Sequence, residues 1–207
     1  MRAALSLACA ALIALASTGH ADVDTVWPSL APGSTLHGRF IQEQDLRGLT
    51  APLKTVGDFV VVPAVGIIWR SAEPVRSVTV ITAAGMRRMV DDREVQRLAS
   101  AQTPAFAHMY ALLDRAIVGD WSALRQDFAV AASGDRHAWR VTLTPLRAAG
   151  PLAAHLTSVI LTGGGRIDAI DIERANGDAE HVAFLDQVVS RTPLTEPDAH
   201  LLNDQWE

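Results

Sequence analysis

The chain has 207 residues, 49% apolar and 20% charged, with a formal net charge of −5 and a mean hydropathy of +0.16. That composition supplies a core and excludes wholesale disorder, and an acidic balance without a basic stripe excludes a nucleic-acid partner. The one cysteine, Cys9, falls in an expected leader, which excludes disulfide scaffolds, thiolate zinc sites and a cysteine nucleophile from the exported chain.

Residues 1–21 read as a cleaved secretory signal. Met1-Arg2 is a minimal positive start, Ala3 to Ala16 is an apolar run, and Gly19-His20-Ala21 offers small residues at the −3 and −1 positions. The run is shorter than the ~20 apolar residues a membrane span needs. Lipidation at Cys9 is rejected, because Ser6-Leu7-Ala8 is a poor lipobox and too few residues precede it. Residues 22–207 are therefore expected to form one exported domain in the periplasm.

After a short helix expected over Asp22 to Leu30, limited by Pro28, the turn Ala31-Pro32-Gly33-Ser34 opens a series of period-two segments. Strands are expected over 35–46, 54–62, 67–70, 75–82, 86–90 and 93–98, with Ala84-Gly85 and Asp91-Asp92 as tight hairpin turns. The pattern then changes. Thr103-Pro104 predicts a helix start with a hydroxyl N-cap and proline at the first position. Phe106, Met109, Tyr110, Leu113 and Ile117 follow at helical spacing, and Gly119 suits the C-terminal cap. Asp120 opens a second, short helix through Trp121 and Leu124.

Strands resume over 128–132, 137–144, 156–162, 166–174 and 179–189. Trp139, Val141 and Leu143 point inward in the second of these, and a crossover spans 145–154. Gly163-Gly164-Gly165 and Asn176-Gly177 are the turns of this second meander, and the acidic tail from Thr192 shows no pattern. Two long meanders must close or cover their edges. The expected fold is mainly β with helices: one strongly curved antiparallel sheet whose concave face carries the helical insert.

Catalytic machinery is not recognisable. The seven histidines are scattered without zinc-helix spacing, and no Gly-x-Ser-x-Gly elbow occurs. The triple glycine joins two strands, whereas a phosphate cradle joins strand to helix. Asp168 and Asp171, three apart on a strand, fall on opposite faces. The chain is expected not to be an enzyme.

One stretch carries a resemblance. Gly38-Arg39-Phe40-Ile41-Gln42, Leu49, Pro52-Leu53, Gly57-Asp58-Phe59, Gly66-Ile67-Ile68-Trp69 and Pro74 are similar to the pattern of the periplasmic outer-membrane lipoprotein carrier family, the LolA-like proteins. The resemblance implies an incomplete antiparallel β-barrel, with helices forming a lid over an apolar cavity that carries acyl chains, and no cofactor. It implies the acyl chains of a lipoprotein or other lipid as ligand, with an inner-membrane transporter and an outer-membrane receptor as further partners, and a monomeric carrier. The family's soluble carriers have an Arg directly before the motif Trp, bonded to the lid helices; here that position is Ile68, with Arg70 on the same side of the pleat.

Phe40, Phe59, Val61, Trp69, Val78, Val80, Met89, Trp139, Leu143, Ile170, Ile172, Val182 and Phe184 are the candidate cavity wall. Phe106, Met109, Leu113 and Trp121 are the candidate lid. The same residues equally suit a filled core, since small barrels are packed by side chains unless they hold ligand. An acyl chain of about 16 carbons, fully buried at ~0.8 kcal/mol per CH₂, would be held by on the order of 12 kcal/mol. Release therefore calls for an imperfectly filled cavity and a lid that closes on itself when empty. The alternative function is a non-catalytic accessory or interaction subunit of an envelope lipid or glycolipid biosynthesis system, using the same fold.

Overall fold

Period-two segments broken by Pro, Gly and Asp turns produce eleven strands among the described residues. The computed structural model describes residues 30–147 and 151–203, with backbone alone at 105, 121–123 and 151–152. The leader, its cleavage point and the helix expected from Asp22 lie outside the described residues, apart from Leu30, whose N–H donates to the Ile117 carbonyl at 3.1 Å.

The first wing contains β1 (Thr35–Asp45), β2 (Leu53–Val62), β3 (Gly66–Glu73), β4 (Ser77–Thr82), β5 (Gly85–Val90) and β6 (Arg93–Ala99). A 3-10 turn at Ser100–Gln102 leads into α1 (Pro104–Ile117) and α2 (Trp121–Asp127). The second wing contains β7 (Phe128–Asp135), β8 (Ala138–Pro145), the short α3 (Pro151–His155), β9 (Leu156–Gly163), β10 (Ile167–Arg174) and β11 (Ala179–Ser190), followed by α4 (Glu196–Asn203).

All eleven strands form one sheet in the order β6-β5-β4-β3-β2-β1-β11-β10-β9-β8-β7, every pair antiparallel. The two wings meet where β1 pairs with β11, and β6 and β7 remain as the two edges. The sheet is an incomplete barrel, and the segment that joins its edge strands is the helical pair α1–α2.

Local chemistry accounts for the turns. Asp91 and Asp92 both take positive φ, 48° and 59°, the type I′ geometry of a two-residue hairpin. Gly119, at φ 83°, ends α1. Thr103 does precede the helix, but its side chain makes no capping bond; its carbonyl instead accepts from the N–H groups of Phe106 and Ala107. The 3-10 turn just before it supplies the entry geometry that the hydroxyl was expected to provide.

Strand register divides the apolar residues between two faces, because residues directly opposite one another share a face. The inner face, on which α1 and α2 pack, carries a cluster of Phe128, Trp139, Val141, Leu143 and Leu161 with Leu112 of α1 and Leu124 of α2. A second inner cluster joins Phe40, Phe59 and Val182 to Leu36, Val61, Trp69 and Phe184. The outer face of β2–β5 carries Val60, Ile68 and Val80, covered by Leu202 of α4.

That last helix corrects the expectation of an unpatterned tail. Glu196 and Asp198 lie in its first turn, where carboxylates complement the helix dipole, and Leu194, Leu201 and Leu202 join the outer cluster. With eight residues it is too short to display a helical period, and the groove it fills is assembled from distant strands.

Candidate functional site

The inner aromatic cluster follows from two reciprocal pairs across β1 and β2. Phe40 lies opposite Gly57, and Gly38 lies opposite Phe59. Each ring covers the glycine on the facing strand. A Cβ at Gly57 would overlap the Arg70 carbonyl and stand 2.8 Å from Phe40 Cε1, and one at Gly38 would stand 2.8 Å from the Leu185 carbonyl oxygen and 3.0 Å from Phe59 Cε1, so facing backbone and ring together leave no room for a side chain. The motif spacing Gly38-x-Phe40 and Gly57-x-Phe59 is thus a packing device that lays both rings flat on the sheet.

Trp69 is opposite Phe59 and stacks on Phe40 with ring centroids 3.8 Å apart. Phe184, opposite Phe40 on β11, meets Phe59 edge-on at 5.2 Å. Phe40 and Phe59 are buried, whereas Trp69, Phe184, Val61 and Leu36 are half-buried. The rings pack on one another and leave their upper surfaces partly open.

The structure brings Phe40, Phe59, Val61, Trp69, Trp139, Leu143, Ile170, Ile172, Val182 and Phe184 onto the inner face. Ile170 lies opposite both Leu161 and Val182, so apolar side chains run from one inner cluster to the other. Val78, Val80 and Met89 do not join them. Val80 lies opposite Ile68, and Val78 opposite Arg70 and Met89, which puts all three on the outer face against α4. On β4 the inner positions are Ser77, Thr79 and Ile81. Both faces of Ser77–Thr82 carry valine, isoleucine or threonine, so period two alone could not assign the sides.

The helix over this face is covered in an unusual way. At helical spacing, Leu112 and Ala116 lie on one flank of α1, Phe106 and Tyr110 on the other, and Met109 and Leu113 between them. Leu112 and Ala116 pack into the β8–β9 cluster, and Phe106 and Tyr110 are buried. Met109 and Leu113, at the centre of the apolar arc, are 45% and 38% exposed.

On its second flank α1 is tied to the first wing, where Asp114 Oδ1 accepts the Ala64 N–H at 2.9 Å in the β2–β3 turn. The helix is thus held at both margins of its apolar arc, while the middle of the arc is exposed. Burial and Asp114, in that order, raise the Tyr110 phenol above its ordinary pKa. His108 Nε2 lies 3.0 Å from Asp127 Oδ2, linking α1 to the end of α2. Trp121 is in α2 by its backbone; its side chain lies outside the described residues.

Neither Ile68 nor Arg70 faces this helix pair. Ile68 is fully buried on the outer face. Arg70 bonds Asp58 at 3.1 Å and also Asp198 of α4. The lid contact implied for the position before Trp69 is therefore not made by these residues, and the arginine instead fastens the C-terminal helix.

The inner face also has a polar end beyond the candidate cavity wall. Gln42, Gln44 and Glu180 stand in phase with Phe40 and Val182, and Arg174 reaches them from β10. Gln42 Nε2 donates to Glu180 Oε1 at 2.6 Å, and Arg174 Nη2 donates to Glu180 Oε2 at 2.6 Å. The signal was present as Gln42 two residues beyond Phe40, but its partner Glu180 lies 138 positions away.

An open antiparallel barrel with an apolar inner face and a helix pair spanning it defines the class of protein. The chain belongs to the LolA-like outer membrane lipoprotein carrier protein family, whose model matches residues 15–192. No curated protein sequence matches it. Among solved structures it is similar to a LolA superfamily protein from Nitrosomonas europaea, with 11% identity, 88% of this chain and 94% of that chain covered, and a TM-score of 0.43.

It is also similar to the MucA/MucB complex of Pseudomonas aeruginosa, with 15% identity, 80% and 54% covered, and a TM-score of 0.43. A DUF1329 family protein from Desulfovibrio piger shows 6% identity, 82% and 90% covered, and a TM-score of 0.41. Membership rests on the sequence match.

Proposed function

We propose that this protein is a periplasmic carrier that shields the acyl chains of a lipoprotein or other lipid against its inner face and moves them towards the outer membrane. The observation that carries the reading is α1, with Met109 and Leu113 uncovered at the centre of an apolar arc whose flanks are buried. A helix in a permanently filled core would bury that centre first. An acyl chain laid between these side chains and the half-buried Trp69, Phe184, Ile170 and Ile172 would complete the burial, at roughly 25 cal/mol per Å² of apolar surface removed from water.

Mass spectrometry of protein isolated from the periplasm is the direct test, with a co-purified acylated lipid as the expected result. A lipid-free protein with no affinity for acyl probes overturns it. Deuterium uptake over residues 104–126 is expected to change on lipid binding, since the lid exchanges contacts with the sheet for contacts with the ligand.

A second reading, an accessory subunit of an envelope lipid or glycolipid system, is favoured by one observation: the stacked Phe40–Trp69 pair already fills part of the wall. Uptake over 104–126 that is slow and unaltered by lipid, together with a stable complex with a biosynthetic partner, would select it.

A further inference from the structure

The polar end of the inner face points to the kind of head group the ligand carries, an inference that rests on the carrier reading above. Glu180 lies directly opposite Ile172 and Gln44, and Gln42 lies opposite Val182, so the polar cluster borders the apolar wall with no residue between. The Glu180 side chain is 11% exposed, and both its carboxylate oxygens accept hydrogen bonds. Oε1 accepts from Gln42, while Oε2 accepts from Arg174 at 2.6 Å and from Gln44 at 3.4 Å.

Among the described residues, no protein group takes up the amide oxygens of Gln42 and Gln44. Arg174, 41% exposed, keeps further N–H groups. The strands run on into loop 45–52 and Gly177, which line a pocket of about 210 Å³. That loop is held to the β10–β11 turn by Arg47, whose N–H donates to Asp178 Oδ1 at 2.9 Å and whose guanidinium donates to the Asn176 carbonyl at 2.8 Å.

We infer that Gln42, Gln44, Arg174 and Glu180 form a head-group subsite for an uncharged head rich in hydroxyl, ester or amide groups. A solitary arginine beside an apolar wall would select a carboxylate or phosphate. Here Glu180 already neutralises it, and an added anion would meet a like charge at close range in a poorly solvated place. A cationic head would meet the Arg174 guanidinium already paired with that carboxylate. Amide oxygens as acceptors and guanidinium N–H groups as donors match a neutral head. The acylated N-terminal cysteine of a lipoprotein and a neutral glycerolipid or glycolipid share that chemistry.

The test is calorimetric titration of the purified protein with single-chain probes of one length: 1-lauroylglycerol, dodecyl glucoside, laurate, and an uncharged lipopeptide mimic, N-lauroylcysteine amide. The neutral heads are expected to bind at least about tenfold more tightly than laurate, and the better of lipopeptide and glucoside identifies the source. Glu180→Gln leaves Arg174 uncompensated and is expected to reverse the preference towards laurate. If that variant does not fold, Gln44→Leu serves in its place; it is expected to weaken 1-lauroylglycerol binding about tenfold and leave laurate unchanged. Equal affinity for all probes, or a preference untouched by the variant that folds, overturns the head-group inference while the carrier reading stands. Binding of none overturns both.

Discussion

The outer cluster beneath α4 and the inner cluster beneath α1 follow the same alternation on different wings of one sheet, β2–β5 and β7–β10, yet they are finished differently. On the outer face Ile68 and Val80 have no exposed surface, and Leu202 closes over them at 7% exposure. The cover is fastened by Arg70 to Asp198 and by Arg87, which donates to the Leu201 carbonyl at 2.8 Å. On the inner face the cover touches the sheet at its margins and leaves Met109 and Leu113 open. One face stores stability; the other keeps apolar surface in reserve. A sheet with both faces sealed would have nothing left to offer a ligand, and one with both faces open would lack a core.

The largest effect is expected from Ile68→Arg. The position resembles the family's lid arginine in sequence, but its side chain lies beneath α4, so the variant buries an unpaired cation. A loss of more than about 3 kcal/mol is expected, read by chemical denaturation, without any strengthened contact to α1. A variant as stable as the parent would show that the outer face is not sealed.

Leu202→Ala should cost about 2–5 kcal/mol and lower the Tm by roughly 4–20 °C while acyl-probe affinity stays unchanged. Loss of affinity in step with stability would show that the two faces are not independent. Leu113→Asp inverts that pattern. Being exposed, the side chain should alter stability by only about 0.5 kcal/mol, but a carboxylate facing an acyl chain should weaken probe binding at least about tenfold.

Tyr110 is the chain's one tyrosine and reports on the inner face alone. Its phenol titrates above the ordinary value because it is buried beside Asp114. The raised value means that its contribution to folding is complete below about pH 10 and is lost as pH rises through the folded pKa. Absorbance titration should give a raised midpoint in the empty protein, returning towards the ordinary value if lipid lifts α1. An unshifted midpoint in both states removes α1 as the moving part.

The smallest effect concerns the loop beside the polar end. The Arg47 N–H, then Asn176, hold the Asp178 carboxyl below its usual range. The stability it gives is present above the ordinary aspartate pKa of about 3.9 and is lost as pH falls through the lowered folded value. Asp178→Asn should therefore be slightly less stable than the parent at neutral pH, and the gap should close in acid. A gap independent of pH would mean that the charge plays no part.

Much of this organisation was legible in the residues. Period-two stretches and their Gly, Pro and Asp turns located the strands, and the Thr103-Pro104 start with the 106–117 stripe located α1, because backbone geometry makes these patterns local. The Gly38-x-Phe40 and Gly57-x-Phe59 spacings carried the family resemblance, but only the pairing of β1 with β2 shows that each ring covers the facing glycine. What stayed out of reach depends on partners distant in the chain.

Val78, Val80 and Met89 could be assigned to a face only by their pairing with Ile68 and Arg70. The tail became a helix only because a groove of Val60, Ile68 and Val80 was there to receive Leu202. Glu180 became part of a polar cluster only when β11 came to lie beside β1. Alternation tells which residues share a side within one strand; register across strands decides which side is the inside, since long-range pairing sets that choice once for the whole sheet.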